Sequence, residues 1–321
     1  MNAALSSDIC IILEGCYPYV TGGVSSWIQT LMSNLGDFSF SIMIISPDEQ
    51  RREAKYDYPE NVVEVVETPI EAAAFNYRPK TRRDDEGSWQ AIVDFHEQMA
   101  AGGEVELPSI FELLHGREKG PKIDVRAMLR DDGSFGVIRQ LNERFGSLSP
   151  LLDYYHTWRA THFPIMHLLG ARIPQASLYH SISTGYAGLV GALAKYRFNA
   201  PFLLTEHGIY TKEREMEVMR ADWIAEQQRP FWLRYFNALG RLAYQSADQV
   251  IALFELNRQL QIELGADALK CRVIPNGISI EDFTAGARKE EDDVFRIGLI
   301  GRVAKIKDIK TFIKACALLA R

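Results

Sequence analysis

An acidic residue and a histidine stand side by side in residues 205–210, TEHGIY, directly after an apolar run. Glu206 and His207 could exchange a proton or hydrogen bond a polar ligand, because histidine changes its charge close to neutral pH. Gly208 leaves room for a ligand to approach the backbone. A lone histidine is more often structural, so this segment alone is compatible with either role.

A glycine pair precedes a predicted helix in residues 15–26, GCYPYVTGGVSS. Gly22 and Gly23 carry no side chains that would block a ligand, and the backbone amides at a helix start attract anions. The spacing matches neither GxGxxG nor GxxxxGK[ST], so a nicotinamide-dependent oxidoreductase and a P-loop nucleotidase both lose their strongest support. The alternative is a tight turn without a ligand.

Hydroxyl side chains follow another apolar run in residues 180–188, HSISTGYAG. His180, Ser183 and Thr184 suit a polar ligand, although Ser183 or Thr184 could equally cap the next helix. Asn276 lies in a Pro-Asn-Gly sequence, which is typical of a turn.

Two cations lie in residues 301–307, GRVAKIK, between a predicted strand and a predicted helix. Arg302 and Lys307 are close to a helix start, where the helix dipole disfavours positive charge unless an anion lies between them. Two cations at this position therefore indicate a bound anion such as a diphosphate. The alternative is a pair of solvated surface cations.

The elements that position these loops alternate between strands and helices. Short β-branched runs predict strands at 9–13, 40–46, 177–180, 201–205, 249–253 and 272–274. Helical spacing of apolar residues predicts helices at 25–35, 150–169, 188–196, 213–245 and 256–264, the fourth of them bent or divided at Pro230. Such alternation predicts an α/β fold with a doubly wound parallel sheet, whose strand ends hold ligands.

The domain organisation is predicted from breaks in this alternation. Residues 1–283 form a first Rossmann-like lobe, and a charged, weakly periodic stretch at about 70–148 is a mostly helical insertion. A polar connector at 284–293 precedes a fresh strand at 294–300 and a helix at 307–319, as a second lobe would begin. One strand and one helix cannot bury a sheet, so this segment is either truncated or docks on the first lobe.

Composition narrows the classes of function. The 321 residues carry 36 basic and 42 acidic side chains without a basic stripe, which argues against a nucleic-acid partner. No run approaches the roughly 20 apolar residues of a membrane span, and the first residues lack the features of a secretory signal. We therefore expect a cytoplasmic protein. The four cysteines show neither paired nor metal-ligand spacing.

The four loops follow one another in the order found in the GT-B glycosyltransferases of family 4, which they resemble. The resemblance covers residues 9–321, with a poor match only in the insertion. More narrowly, EGCYPYVTGGVSSWIQTL, HSISTGYAGLVGALAKYR, LLTEHGIYTKEREMEV, IPNGI and GLIGRVAKIKDIKTFI resemble the PelF family of Pel exopolysaccharide glycosyltransferases. The resemblance implies two Rossmann-like lobes, with the acceptor mainly on the first and a UDP-sugar mainly on the second. It also implies transfer with retention of configuration and without a metal, so no cofactor is expected.

The resemblance also implies residue roles. Gly22 and Gly23 match the glycine loop near the donor phosphates, and His207 matches the residue that meets the donor sugar. Catalysis is expected from His207, Arg302 and Lys307, because the two cations would neutralise the departing diphosphate. The residues expected to bind the donor nucleotide sugar are Gly22, Gly23, Asn276, Arg302 and Lys307. The residues expected to contact the polysaccharide acceptor are Tyr17, His180, Ser183, Thr184 and Glu206.

The sequence departs from the family's pattern in its second lobe. The family carries two glutamates seven residues apart that bind the sugar and the ribose, and this sequence ends before they could occur. We therefore expect the 321-residue chain to be inactive alone. The expected partners are a nucleotide sugar and a growing exopolysaccharide. The protein is either free or peripheral at the inner membrane, on a polysaccharide synthase and export complex.

Other classes of function fit the sequence less well. A metal-dependent GT-A transferase needs an acidic DxD-type motif at a strand end, whereas the acidic pairs at 84–85, 131–132 and 292–293 lie in polar stretches. A glycoside hydrolase needs two paired carboxylates, and the sequence singles out none. The remaining alternative is a non-catalytic α/β module that binds glycan or a membrane-associated partner, with the insertion as docking surface.

Overall fold

The computed structural model describes residues 6–70, 86–101, 132–146, 149–278, 280, 295–301, 303 and 307–319. The chain divides into two compact units, Met1–Asn276 and Gly277–Arg321. The first unit contains a parallel sheet with its helices. The second contains one described helix.

Seven parallel strands form the sheet of the first unit, in the spatial order β3-β2-β1-β4-β5-β6-β7. They are β1 (Ser7–Glu14), β2 (Phe40–Ser46), β3 (Val62–Pro69), β4 (Ala176–Ser181), β5 (Phe202–Glu206), β6 (Gln249–Ala252) and β7 (Cys271–Val273). The order reverses at β1, which pairs with β2 on one side and β4 on the other. The predicted α/β fold with a doubly wound parallel sheet is therefore confirmed.

The helices of the first unit connect these strands. They are α1 (Gly23–Asn34), α2 (Glu86–Ala101), α3 (Asp132–Phe145), α4 (Leu151–Leu169), α5 (Tyr186–Phe198), α6 (Tyr210–Arg220), α7 (Arg229–Ser246) and α8 (Glu255–Glu263). A short 3₁₀ helix, Glu226–Gln228, precedes α7. Within the described residues, no helix combines the length and apolar composition needed to cross a bilayer.

The central strands β1 and β2 are buried on both faces, which explains why they read as continuous apolar runs, whereas the edge strand β3 is only half-buried. Along β1, Ile11 and Leu13 pack against α1, whereas Cys10 and Ile12 belong to the larger core on the opposite face. Successive side chains of a strand point to opposite faces, so one run of apolar residues supplies both cores. This layering fixes the strand ends that carry the predicted loops.

The sequence prediction missed one strand, and its alternative of a helical region divided near Pro230 is confirmed. The strand β3 was not predicted, although VVEVVETP alternates apolar and charged residues as a half-buried strand does. The helical region 213–245 is two helices, α6 and α7, and Pro230 lies in the first turn of α7, where its missing amide costs nothing. Within the predicted insertion, the described residues form α2 and α3.

The second unit was predicted to open with a strand and a helix. The helix is present as α9 (Ile309–Leu319), but described residues 295–300 form no paired strand, so the strand prediction at 294–300 is wrong. A strand exists only when a neighbour satisfies its backbone groups, and none of the described residues pairs with this segment. The predicted connector at 284–293 lies outside the described residues.

A chain of buried hydrogen bonds joins α2 to α4. The ring nitrogen Nδ1 of His96 lies 3.0 Å from Nε2 of His162, and Nε2 of His96 lies 2.7 Å from the hydroxyl of Tyr154. Burial lowers the pKa of His96 to about 3 and lowers the pKa of His162 well below its ordinary value. Both imidazoles are therefore neutral in the folded protein at neutral pH.

We expect these two histidines to make the fold sensitive to acid. Below about pH 6.5 the unfolded chain binds protons that the folded chain excludes, so stability falls as the pH falls. Each histidine should cost about 2 kcal/mol between pH 7 and pH 5. Urea unfolding at the two pH values measures this loss. The His162→Gln variant should show a smaller loss, whereas substitution of the exposed His156 by glutamine should leave it unchanged.

Candidate functional site

The candidate site lies where β1, β4 and β5 end at the same edge of the sheet. The loops 15–22, 182–185 and 207–209 leave these three neighbouring strands at their carboxyl ends. The strand order reverses between β1 and its neighbours, which opens a crevice in doubly wound sheets. The sequence-predicted residues of the first unit therefore start from adjacent positions.

An aromatic contact brings three of these segments together. The indole of Trp27, in the second turn of α1, packs edge-to-face on His207 with ring centroids 4.7 Å apart. The same indole lies edge-on to His180 at 5.9 Å. Since Trp27 follows the glycine pair by four residues, the start of α1 and the ends of β4 and β5 form one cluster. Sequence analysis did not single out Trp27.

His207 carries a buried ring nitrogen without a hydrogen-bond partner among the described residues. Its side chain is half-buried, and the nitrogen is Nε2. Burial lowers the pKa of His207, so the ring is neutral at neutral pH. A neutral imidazole offers one donor and one acceptor, which suits a sugar hydroxyl. The ring is therefore positioned by Trp27 and chemically unsatisfied.

His180 is held more tightly than His207. It is buried, and its Nε2 atom lies 2.8 Å from the hydroxyl of Thr205 on the neighbouring strand. Burial, and secondarily the nearby His207, lower the pKa of His180 to about 4. The predicted acceptor contact of His180 stays a prediction. Its hydrogen bond to β5 shows that it also ties two strand ends together.

Glu206 lies on the other face of the sheet from His207. The carboxylate is 1% exposed, and its Oε1 atom accepts hydrogen bonds from the Thr184 hydroxyl (3.1 Å) and the Tyr210 amide (3.4 Å). Its Oε2 atom accepts from the Tyr244 hydroxyl (2.6 Å) and Gln261 Nε2 (3.1 Å). Burial raises the pKa of Glu206. These contacts favour a structural role over the predicted acceptor contact.

The two hydroxyl side chains of the loop after β4, Ser183 and Thr184, donate hydrogen bonds to carboxylates. Ser183 donates to Oε1 of Glu14 at 3.1 Å, and the Ala187 amide donates to the same oxygen at 2.9 Å. Thr184 donates to Glu206. The residue that caps α5 is Gly185, without a side-chain hydrogen bond, so the alternative that Ser183 or Thr184 caps this helix is wrong.

Glu14 was missed by sequence analysis, although it is the acidic residue that ends the apolar strand β1. Its carboxylate bridges the β4 loop to the first turn of α5 through the two hydrogen bonds above. Loss of hydration raises the pKa of Glu14 despite these bonds. An acidic side chain at the end of a buried strand was the signal that could have identified it.

Tyr17 and Gly185 show that space at this edge is limited. Tyr17 is fully buried, and its hydroxyl donates to Oε1 of Gln29 at 2.7 Å, so the predicted acceptor contact does not fit its position. A side chain on Gly185 would place Cβ 2.2 Å from the ring of Tyr210, so the loop needs a glycine there. A Cβ on Gly23, in contrast, would meet nothing within 4 Å.

The start of α1 is open as predicted for the glycine pair. Gly22 is the N-cap residue, no side chain caps the helix, and its first turn contains no acidic residue. Unpaired amides at a helix start favour an anion. The predicted binding of donor phosphates by Gly22 and Gly23 stays a prediction that this geometry permits.

The roles predicted for three further residues are not tested by this cluster. Asn276 is exposed at the end of the first unit, and Lys307 is exposed in the second unit. Arg302 lies outside the described residues. Their roles toward a diphosphate stay predictions. Among the described residues, no group of three or more histidine, cysteine, aspartate or glutamate side chains is arranged to hold a metal ion.

Comparison with known proteins gives one family match and weak similarities to solved structures, of which two are described. The family model described as "Domain of unknown function (DUF3492)" matches residues 7–269. No curated protein matches the chain. Sucrose-phosphate synthase from Thermosynechococcus elongatus is 13% identical with a TM-score of 0.39, over 85% of this chain and 49% of that chain. HepE from Anabaena, in complex with UDP and glucose, is 13% identical with a TM-score of 0.36, over 86% and 46%. The chain spans about half the length of these two proteins.

Proposed function

The chain belongs to the DUF3492 family. We propose that it is the acceptor-side lobe of a glycosyltransferase that uses a UDP-sugar. One observation carries the proposal. At the carboxyl edge of a doubly wound sheet, an unsatisfied neutral imidazole lies beside the uncapped start of α1, and Trp27 holds the two together. The loop sequences that resemble family 4 of the GT-B glycosyltransferases supply the reaction class.

The chemistry of sugar transfer fits this arrangement. Cleavage of the bond between a sugar and a diphosphate builds negative charge on the leaving oxygen and positive character on the sugar ring. Backbone amides at the start of α1 favour the phosphates, while His207 hydrogen bonds a hydroxyl of the donor sugar. Arg302 and Lys307 would neutralise the departing diphosphate. We propose retention of configuration and no requirement for a metal.

The finer proposal concerns the product and its location. By the PelF-like motifs, the acceptor is a growing exopolysaccharide, and transfer takes place in the cytoplasm, at an inner-membrane synthase and export complex. Most of the donor site would lie in a second lobe, so the 321-residue chain should not transfer sugar alone. Binding of glycan without any transfer would instead favour the non-catalytic module.

A donor screen tests the proposed function. The chain is compared with a longer version that carries the complete second lobe, using UDP-glucose, UDP-galactose and their N-acetylamino forms. We expect the longer protein to release UDP with at least one donor when an oligosaccharide acceptor is present, and the 321-residue chain to release none. Proton NMR of the product reports the anomeric configuration. The proposal fails if the longer protein turns over no donor, or if the short chain does so alone.

A further inference from the structure

A second cleft, with a volume of about 710 Å³, opens beside α4 in the first unit. One wall is a face of α4, and the other is the segment that joins α6 to α7, including the 3₁₀ helix. The volume is in the range of sites that enclose small ligands. None of its lining residues belongs to the cluster of Trp27, His180 and His207.

Two tryptophans, beside Phe163 and His156, contribute aromatic rings to the lining of this cleft. Trp223 is 73% exposed, and its indole lies perpendicular to that of Trp232 with ring centroids 5.6 Å apart. Trp232 is 6% exposed and is held by stacking on Phe236. An indole left exposed on a rigid neighbour costs solvation free energy unless a ligand covers it. Trp223 therefore presents an exposed indole at the cleft, supported at its edge by the buried Trp232.

Two buried donors in the same lining have no partner. The indole N–H of Trp232 and the amide Nε2 of Gln228 find no hydrogen-bond acceptor in the described part of the chain. Gln228 is 8% exposed, and its Oε1 atom accepts a hydrogen bond from the hydroxyl of Thr157, which fixes the amide. Buried donors are rarely left unpaired, so the two point to a ligand that supplies acceptors.

The charges around the cleft indicate which ligand this is. Asp153, in the first turn of α4, and Arg159 contribute one charge of each sign, so no cationic field favours a phosphate. The exposed carboxylate of Asp153 can also accept a hydrogen bond from a ligand. A neutral sugar suits these groups, because its hydroxyl and ring oxygens accept from the indole and amide donors, its hydroxyls can donate to the carboxylate, and its apolar C–H face can cover an indole.

We propose that this cleft binds a segment of a neutral oligosaccharide, with Trp223 stacking on a sugar ring and Trp232 and Gln228 donating to sugar oxygens. The inference does not rest on the proposed transfer reaction, because it needs neither a donor nor the second unit. It assigns to the chain a glycan site apart from the strand-end cluster. In a transferase, such a site would hold the acceptor at a distance from the residue being extended.

Calorimetry with neutral hexasaccharides tests the proposal on the whole 321-residue chain. The probes are the β-1,4-linked hexamers of glucose and of N-acetylglucosamine and the α-1,4-linked hexamer of glucose. We expect at least one to bind and to quench tryptophan fluorescence. The Trp223→Ala variant should bind it at least tenfold more weakly, and its urea unfolding should match the wild type because the side chain is exposed.

The matched control removes an exposed aromatic ring elsewhere. Phe38, between α1 and β2, is also exposed, and the Phe38→Ala variant should keep the wild-type affinity. A second variant, Gln228→Leu, removes one unpaired donor and should also weaken binding about tenfold. The proposal is overturned if no hexasaccharide binds at millimolar concentration, or if Trp223→Ala binds as the wild type does. Neither result bears on the donor screen.

Discussion

Substitution of Glu206 by alanine is expected to lower the free energy of unfolding by about 4 kcal/mol or more. The buried carboxylate accepts four hydrogen bonds, from two helices' side chains, one loop hydroxyl and one backbone amide. Its removal leaves these donors unpaired in the interior and opens a cavity, and each unpaired donor costs about 1–3 kcal/mol. Because domains are stable by only about 5–15 kcal/mol, little soluble protein should remain. Urea unfolding measures the loss.

Two variants separate this effect from a loss of charge. Glu206→Gln keeps one oxygen acceptor in a side chain of the same shape and should cost less than the alanine variant. Glu215, which is exposed and pairs with Lys212 at 3.1 Å, serves as the control, because its replacement by alanine should change stability by less than about 0.5 kcal/mol. Equal stability of Glu206→Ala and the wild type would show that the carboxylate is not a structural anchor.

Substitution of His207 by alanine is expected to lower kcat/KM on the order of 100-fold in the longer protein that carries both lobes. The ring is half-buried against Trp27, and its Nε2 atom has no partner among the described residues, so little of the fold depends on a hydrogen bond from it. The loss should therefore appear in turnover with each UDP-sugar that the wild type uses. Stability should change much less than in the Glu206 variant.

Two controls make the His207 result specific. Lys212→Ala removes an exposed side chain from α6, the helix that follows the His207 loop, and should keep wild-type turnover. His207→Gln keeps hydrogen-bonding capacity without a titrating ring, so it should recover part of the lost activity if His207 acts by a hydrogen bond. Unchanged turnover in His207→Ala would remove this residue from the proposed site.

For Glu206 and His207, the sequence predicted the position in the fold but not the surroundings of each side chain. Their position after an apolar run predicted that both lie at a strand end, and the structure agrees. The sequence assigned both to ligands, whereas the strand sends Glu206 into the larger core and leaves His207 beside α1. Glu206 is enclosed because Tyr244 and Gln261 donate hydrogen bonds to it, and these two residues follow it by 38 and 55 positions in the chain. A local pattern contains no information about those partners.

The layered arrangement of helices on a parallel sheet follows from the amino-acid pattern. Apolar runs of strand length, separated by stretches of helical period, permit few arrangements other than a parallel sheet covered on both faces. They also predicted that the loops 15–22, 182–185 and 207–209 lie at one edge of that sheet. The strand β3 was not predicted, because the glutamates in its alternating pattern made it look like part of the charged stretch that follows. The segment 295–300 of the other predicted strand has no pairing partner among the described residues.

The partners of buried polar side chains became visible only in the folded protein. Tyr17 and Glu206 find partners in the interior, whereas single polar atoms of His207, Trp232 and Gln228 have none among the described residues. The cleft beside α4 was not predicted at all, because its walls come from segments about 70 residues apart. The physical reason is that periodicity acts between neighbours along the chain, whereas hydrogen bonding and desolvation act between whatever residues the fold brings together.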